Sequence, residues 1–163
     1  LVDGPPADAL LAQPAALATD GRRVWWTDAE SSAVRETTPE ALGVRHGPAG
    51  ADAAVRTLAG TGLFDFGDAD GVGDAVRLQH PQGLAWVAGD SGRSGRLLVA
   101  DSYNDALKWL DSATREVRTW LGGFAEPGGV CVAGGLAYVA DTNAHRVAVV
   151  ALDTGAVDAL AIG

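Results

Sequence analysis

Four carboxylates lie close together in the acidic segment 65–74. They are Asp65, Asp68, Asp70 and Asp74. Carboxylate oxygens are the ligands that Ca²⁺ takes in sets of six to eight, so a calcium site is one expectation here. The spacing departs from an EF-hand loop, because Gly71 and Gln79 stand at positions four and twelve counted from Asp68. The alternative is a surface connector without a cofactor, whose Asp-Gly pairs form turns and whose Phe64 and Phe66 pack on a sheet.

Three other aspartates recur at one position of a repeated pattern. Asp28, Asp101 and Asp141 each end an apolar run that begins 14, 20 and 14 residues earlier at a proline. The prolines are Pro14, Pro81 and Pro127. An aspartate at such a position can accept hydrogen bonds from the backbone of the following turn. We therefore interpret the three as structural residues of the repeat.

The other residue types that could do chemistry form no catalytic pattern. The histidines His46, His80 and His145 share no metal-ligand spacing. No serine stands in a Gly-x-Ser-x-Gly turn, and the single cysteine, Cys131, lies in an apolar run that predicts a core position. The sequence thus predicts no catalytic residue.

The repeat that positions these residues has a period of about 40 residues once insertions in Gly- and Asp-rich stretches are subtracted. In the third copy, alternation and turn residues predict strands over Gly129–Ala133, Leu136–Asp141, Arg146–Leu152 and Ala156–Ile162. Four strands in a unit of this length indicate a β-propeller blade. We predict an all-β chain of about three four-stranded blades, at 13–60, 80–122 and 126–162, with a long connector at 61–80.

The third copy also resembles a known repeat. Asp141–Val147 reads Asp-Thr-Asn-Ala-His-Arg-Val, which is similar to the Asp-x-x-Asn-His-Arg-Ile signature of NHL repeats, and Asp101–Asn104 is a shorter match. Ser31–Ala33 and Asp105-Ala106 depart from the signature in the first two copies. The order of pieces most resembles the propeller of proteins that join a thioredoxin-like domain to NHL repeats. The resemblance implies a six-bladed ring attached to a thioredoxin-like redox domain in the full protein.

Three blades make an open arc, which leaves apolar surface uncovered at both ends. The rest of the ring is expected either from the same, longer chain or from a second copy. Leu1 as the first residue and the absence of Met favour a longer chain. So does Leu1–Gly4, which aligns with the end of a preceding fourth strand, as Leu121-Gly122 ends one.

The acidic composition narrows the classes of partner. Lys and Arg number 12 against 21 Asp and Glu, for a net charge of −9. Nucleic acid and anionic membrane surfaces need a clustered basic footprint, so neither is an expected partner. No apolar run is long enough for a membrane span. One cysteine cannot form an internal disulfide, so nothing demands an oxidising compartment and a cytoplasmic location is favoured.

Propeller geometry places the connectors and the loops between second and third strands on one rim. This rim is predicted to gather aromatic and polar side chains among carboxylates: Phe64, Phe66, Tyr103, Asn104, Asn143 and His145. Such a surface suits a basic peptide or protein. The predicted function is a non-catalytic module that binds a protein or peptide. The alternative, implied by related six-bladed propellers, is part of a metal-dependent lyase or hydrolase with its site on the central channel.

Overall fold

Almost all of the regular structure is β-strand in the computed structural model, which describes residues 1–38, 54–89 and 95–161. The first sheet contains β1 (Pro14–Thr19), β2 (Val24–Asp28), β3 (Ala33–Thr37) and β4 (Arg56–Ala59). The second contains β5 (Gly71–Val72), β6 (Pro81–Val87), β7 (Arg96–Asp101), β8 (Ala106–Leu110) and β9 (Glu116–Gly122). The third contains β10 (Pro127–Ala133), β11 (Leu136–Asp141), β12 (Arg146–Ala151) and β13 (Val157–Ala159).

These three antiparallel sheets confirm the all-β prediction and its four-strand unit. The second sheet adds a fifth strand, because β5 of the connector pairs with the outer edge of β9. No helix in the described part of the chain is long and apolar enough to cross a bilayer.

Each sheet begins in the same way. Proline opens the first strand and pairs with the aspartate that ends the second, for example Pro81 with Asp101, and a register shift follows the proline in all three sheets. Proline has no N–H to contribute to a ladder, so the start of a strand tolerates it. The irregularity that follows increases the local twist. The Pro-to-Asp spacing in the sequence therefore reflects one repeated backbone geometry.

Consecutive sheets pack face to face, and their first strands, β1, β6 and β10, lie side by side. One core joins the first sheet to the second and includes a stacked pair, Trp25 on Trp86, with ring centroids 4.8 Å apart. A second core joins the second sheet to the third, where Leu98 meets the cluster around Val139. Burial of these apolar faces, at about 25 cal/mol per Å², is the main force that holds the sheets together.

Two sequence predictions are wrong in detail. Leu1–Gly4 does not end a preceding strand: Gly4 exchanges two backbone hydrogen bonds with Val55, of 3.0 and 2.8 Å, beside the outer edge of β4. Cys131 is exposed rather than part of the core. Successive residues of a strand point to opposite faces, and the neighbours Val130 and Val132 take the face that packs on the second sheet.

Candidate functional site

The three repeated aspartates lie at the same rim of their sheets and are fully buried. Asp101 accepts a hydrogen bond from the Gln79 N–H at 2.7 Å, and Asp141 accepts one from the Ala125 N–H at 2.7 Å. Asp28 accepts the N–H groups of Ala12 and Gln13 in the same way. The donors belong to the connector that enters the first strand, not to the following turn, because the connector brings its N–H groups beside the end of the second strand.

The loops after these aspartates share one shape. Ser32, Asp105 and His145 adopt left-handed φ values of 49°, 53° and 54°. Each donates its N–H to the carbonyl three residues earlier in the chain. Together with the connector at 61–80, these loops, 29–32, 102–105 and 142–145, form what we call the connector rim.

A buried cation anchors the long connector to the second sheet. Lys108 is fully buried, and its Nζ lies 2.5 Å from Asp68 Oδ1, 3.4 Å from Asp70 Oδ1 and 3.6 Å from Asp101 Oδ2. Asp70 also accepts hydrogen bonds from the N–H and the hydroxyl of Thr119, at 2.8 and 2.9 Å. Lys108 therefore ties the connector to the repeated aspartate.

The first sheet repeats this arrangement with other residues. Arg35 occupies the register of Lys108, is fully buried, and donates to Asp3 Oδ1 at 2.8 Å while lying 3.5 Å from Asp28 Oδ2. Asp3 in turn accepts the N–H and hydroxyl of Thr57, at 2.8 and 2.7 Å. In the third sheet the corresponding residue is Ala148, and Asp141 pairs instead with Arg146 Nε at 2.7 Å.

Asp3 belongs to a second connector, residues 1–13, which the sequence analysis did not identify although the sequence contains a signal for it. Asp3-Gly4 and Asp70-Gly71 each begin 11 residues before the proline that opens the next strand. In both connectors the glycine pairs at the outer edge of the sheet, with Val55 just before β4 and with Val117 of β9. The spacing from Asp-Gly to Pro would have identified residues 1–13 as a connector.

Burial and charge set the ionisation of this cluster. Burial raises the pKa of Asp101 to about 6, against hydrogen bonds from Asn104 and Gln79 that lower it. Burial acts to lower the pKa of Lys108, but the contacts with Asp68, Asp101 and Asp70 outweigh it and raise that pKa. For Asp70, burial is outweighed by Thr119 and Lys108, which hold its pKa below the usual value.

The four carboxylates predicted as calcium ligands are paired with three different cations of the chain. Asp65 pairs with Arg77 at 2.7 Å, and Asp74 pairs with Arg115 at 2.7 Å. Asp68 and Asp70 share Lys108, as described above. Within residues 1–38, 54–89 and 95–161, no group of three His, Cys, Asp or Glu side chains is arranged so that it could hold a metal ion. Calcium binding stays a prediction, and the contacts favour the connector interpretation.

The aromatic side chains of the rim are open to solvent. Phe64 is 92% exposed, Phe66 57% and Tyr103 51%. Phe64 and Phe66 therefore do not pack on a sheet as the connector interpretation expected. Tyr103 stacks on His80, with ring centroids 4.7 Å apart, and its backbone N–H binds the Gln79 carbonyl. The structure thus presents these rings on the connector rim itself.

Of the three polar residues predicted on the rim, one makes hydrogen bonds to the connector and to a repeated aspartate, and two are exposed. Asn104 Nδ2 donates to the Gly67 carbonyl and to Asp101 Oδ2, both at 2.7 Å, so it links the connector at 61–80 to the end of β7. Asn143 and His145 are exposed on the equivalent loop of the third sheet. Asn143 donates its backbone N–H to Ala125.

A protein-family model described as NHL repeat matches residues 124–150. Human NHL repeat-containing protein 2 is 37% identical, in an alignment that covers 96% of the chain and 23% of that protein. The Arabidopsis thaliana protein SUPPRESSOR OF QUENCHING 1, chloroplastic, is 33% identical over 92% of the chain and 15% of its own length. The chain therefore spans less than a quarter of these relatives.

Solved structures share the fold at low identity. Virginiamycin B lyase from Staphylococcus aureus gives a TM-score of 0.60 at 11% identity, over 93% of the chain and 42% of the lyase. A Xanthomonas campestris gluconolactonase gives 0.63 at 15% identity, over 93% and 48%. A Bacteroides thetaiotaomicron auxiliary nutrient binding protein gives 0.63 at 13% identity, over 77% and 34%. These likenesses establish a propeller-type fold, which both enzymes and binding proteins use.

Proposed function

We propose that this chain, an NHL-repeat segment with a β-propeller-type fold, is a non-catalytic module whose connector rim binds a basic peptide or a basic protein segment. The observation that carries the proposal is the exposure of Phe64, Phe66 and Tyr103 on one acidic rim. Burying one such ring against a partner is worth about 1.5–3 kcal/mol, and aromatic anchors of this kind dominate the energetics of interfaces.

The loop that carries Phe64 is held in place before any partner arrives. Phe64 has a left-handed φ of 68°, which is unusual for a bulky residue. The carboxylate of the next residue, Asp65, accepts a hydrogen bond from the Thr61 hydroxyl and pairs with Arg77. An anchor that is already ordered loses less conformational entropy on binding, so its burial contributes more to affinity.

Charge complementarity indicates a basic partner. Glu30 and Asp105 are exposed on loops of the rim, and Glu126 is exposed in the segment between β9 and β10, where its N–H binds Asp105. The side chain of Asp68 is 58% exposed beside its contact with Lys108. Carboxylates at the edge of an interface attract Lys and Arg side chains, and the net charge of −9 adds to this attraction at low salt.

The attachment of a thioredoxin-like domain, which the sequence resemblance implies, belongs to this proposal. A rim that binds a partner protein beside a thioredoxin-like domain would raise the local concentration of that partner at the domain. The enzymatic alternative rests on likeness of fold to the lyase and the gluconolactonase alone. No observation in the described parts of the chain favours it over binding.

The test is a selection of random displayed peptides on the immobilised chain, followed by titration of synthetic copies of the enriched peptides. We expect enrichment of Lys and Arg, and at least about ten-fold weaker binding to Phe64→Ala and to Phe66→Ala. Val157→Ala is the matched control, because Val157 is 45% exposed in β13, away from the rim. Failure to enrich any peptide, or equal affinity for the Phe variants and the control, would contradict the proposal.

A further inference from the structure

A cleft of about 430 Å³ opens between the first and second sheets, and three arginines line it. Arg23 directly precedes β2, Arg56 begins β4, and Arg115 directly precedes β9. These strand ends lie away from the repeated aspartates, so the cleft is at the opposite end of the strands from the connector rim. Three of the 12 Lys and Arg residues thus line one cleft in a chain whose net charge is −9.

Among the described residues, the only carboxylate that lines this cleft is that of Glu36, and it is already paired within the first sheet. Its Oε2 lies 3.6 Å from Arg23 Nη1 and accepts a hydrogen bond from Trp25 Nε1 at 3.2 Å. The Glu36 side chain is only 16% exposed. Arg23 therefore offsets the charge of Glu36, and the charges of Arg56 and Arg115 remain to attract an anion.

Arg115 is fixed in the cleft by two hydrogen bonds. Its Nε donates to the Leu58 carbonyl of the first sheet at 3.0 Å, and its Nη2 donates to Asp74 Oδ1 at 2.7 Å. The Asp74 side chain is 81% exposed and lines a neighbouring cavity rather than the cleft. A guanidinium carries further N–H groups in the same plane, so Arg115 presents its remaining donors in a set orientation.

Arg56 and Ser112 add donors from the two walls of the cleft. Arg56 is exposed, and neither its guanidinium nor the Ser112 hydroxyl has a hydrogen-bond partner among the residues that the structure describes. The turn that carries Ser112 is ordered by Asp111, whose Oδ1 accepts the N–H groups of Ala113 and Thr114 at 2.8 and 2.9 Å. Both walls therefore present unused donors to the same space.

From this arrangement we infer that the cleft binds the phosphate group of a small anion. Arginine suits phosphate best, because its planar N–H groups donate in pairs to phosphate oxygens, and the volume of the cleft is that of a small-molecule site. A nucleic-acid backbone is a poor fit, since it needs a basic stripe and the carboxylates of Glu36 and Asp74 border these arginines. The cleft is remote from the connector rim, so this inference does not depend on the proposed function.

NMR titration of the isotope-labelled chain tests the inference, with inorganic phosphate and glycerol phosphate as probes and sodium chloride at equal ionic strength as the reference. We expect both phosphates, but not chloride, to give saturable amide shift changes in residues 22–24, 56–58 and 112–115. Tighter binding of glycerol phosphate would support the inference with an ester as the ligand, and tighter binding of inorganic phosphate would support it with the free ion. Shift changes that do not saturate, or that chloride reproduces, would overturn it.

Two arginine variants separate the cleft from general attraction to charge. Arg56→Gln removes an exposed side chain and should leave the fold intact by circular dichroism, while both phosphates bind at least about ten-fold more weakly. Arg118→Gln is the matched control and should bind like wild type. Arg118 is 75% exposed and pairs with Trp109, on the face of the second sheet that packs on the third. Equal affinities of the two variants would overturn the inference, because the cleft would then have no special role.

Discussion

Arg35 and Lys108 stand at the same position in the third strand of their sheets, and both side chains are fully buried. Placing a charge inside a protein is costly unless partners and hydrogen bonds compensate it. Here the compensation comes from a connector aspartate and a repeated aspartate on either side of each cation. Ala148 of the third sheet has no charge to compensate. The connector from β9 to β10 has only four residues.

Replacement of Lys108 tests how much this cation stabilises the second sheet. Lys108→Met leaves Asp101 buried without a cation, and we expect the free energy of unfolding at pH 7 to fall by about 3 kcal/mol or more. Lys108→Arg keeps a positive charge at this position, as Arg35 does in the first sheet. Its free energy of unfolding should fall by about 2 kcal/mol less than that of Lys108→Met. Urea unfolding measures both variants. Equal losses would show that charge at this position is unimportant.

The raised pKa of Asp101 predicts how the stability of the folded chain depends on pH. Burial raises its pKa from 3.8 to about 6, so between these values the folded chain binds more protons at this site than the unfolded chain does. Its contribution to stability is therefore fully present below pH 3.8 and is lost as the pH rises through about 6. The difference between the two pKa values corresponds to about 3 kcal/mol.

Urea unfolding of wild type and Asp101→Asn at pH 4 to 7 measures this contribution, because the variant cannot titrate at the site. The free energy of unfolding of wild type is expected to fall relative to the variant by about 2.4 kcal/mol across this range, which is most of the full difference. A difference between the two proteins that is constant with pH would contradict the assignment.

At the scale of strands and connectors, the local pattern predicted most of what forms. The Pro-to-Asp spacing predicted the pairing of the first two strands because it reflects hydrogen bonds between near neighbours in sequence. The sequence alone did not predict that Asp3 and Asp70 reach Thr57 and Thr119. Those contacts join residues 54 and 49 positions apart, and no local pattern specifies them.

Gly83, in the first strand of the second sheet, allows the second and third sheets to approach closely. A methyl group at Gly83 would lie against the Gly128 carbonyl and 2.8 Å from Ala100 Cβ. We expect Gly83→Ala to lower the free energy of unfolding by about 3 kcal/mol through overpacking. Gly129 is the third residue of β10, as Gly83 is of β6, but a methyl group there meets nothing within 4 Å. Thermal or urea unfolding should find Gly129→Ala close to wild type, and an equally small effect of Gly83→Ala would contradict the close packing.

At the scale of the whole molecule, the proposed function depends on which side chains the three sheets bring to one rim. The sequence predicted the rim because repeated units place equivalent loops together, and the structure does expose Phe64, Phe66 and Tyr103 there. It did not predict that Asn104 faces inward to Gly67 and Asp101, since that depends on the path of the long connector. The proposed partner would be recognised by charge and aromatic surface, which a sequence indicates only as a class.

The central claim is that binding takes place on the connector rim, and NMR mapping tests it most directly. An isotope-labelled chain is titrated with a Lys- and Arg-rich peptide obtained by selection on the wild-type protein. We expect the largest amide shift changes in residues 63–67, 102–105 and 142–145. Changes confined to the loops at the other end of the strands, such as 20–23, 111–115 and 152–156, would contradict the claim.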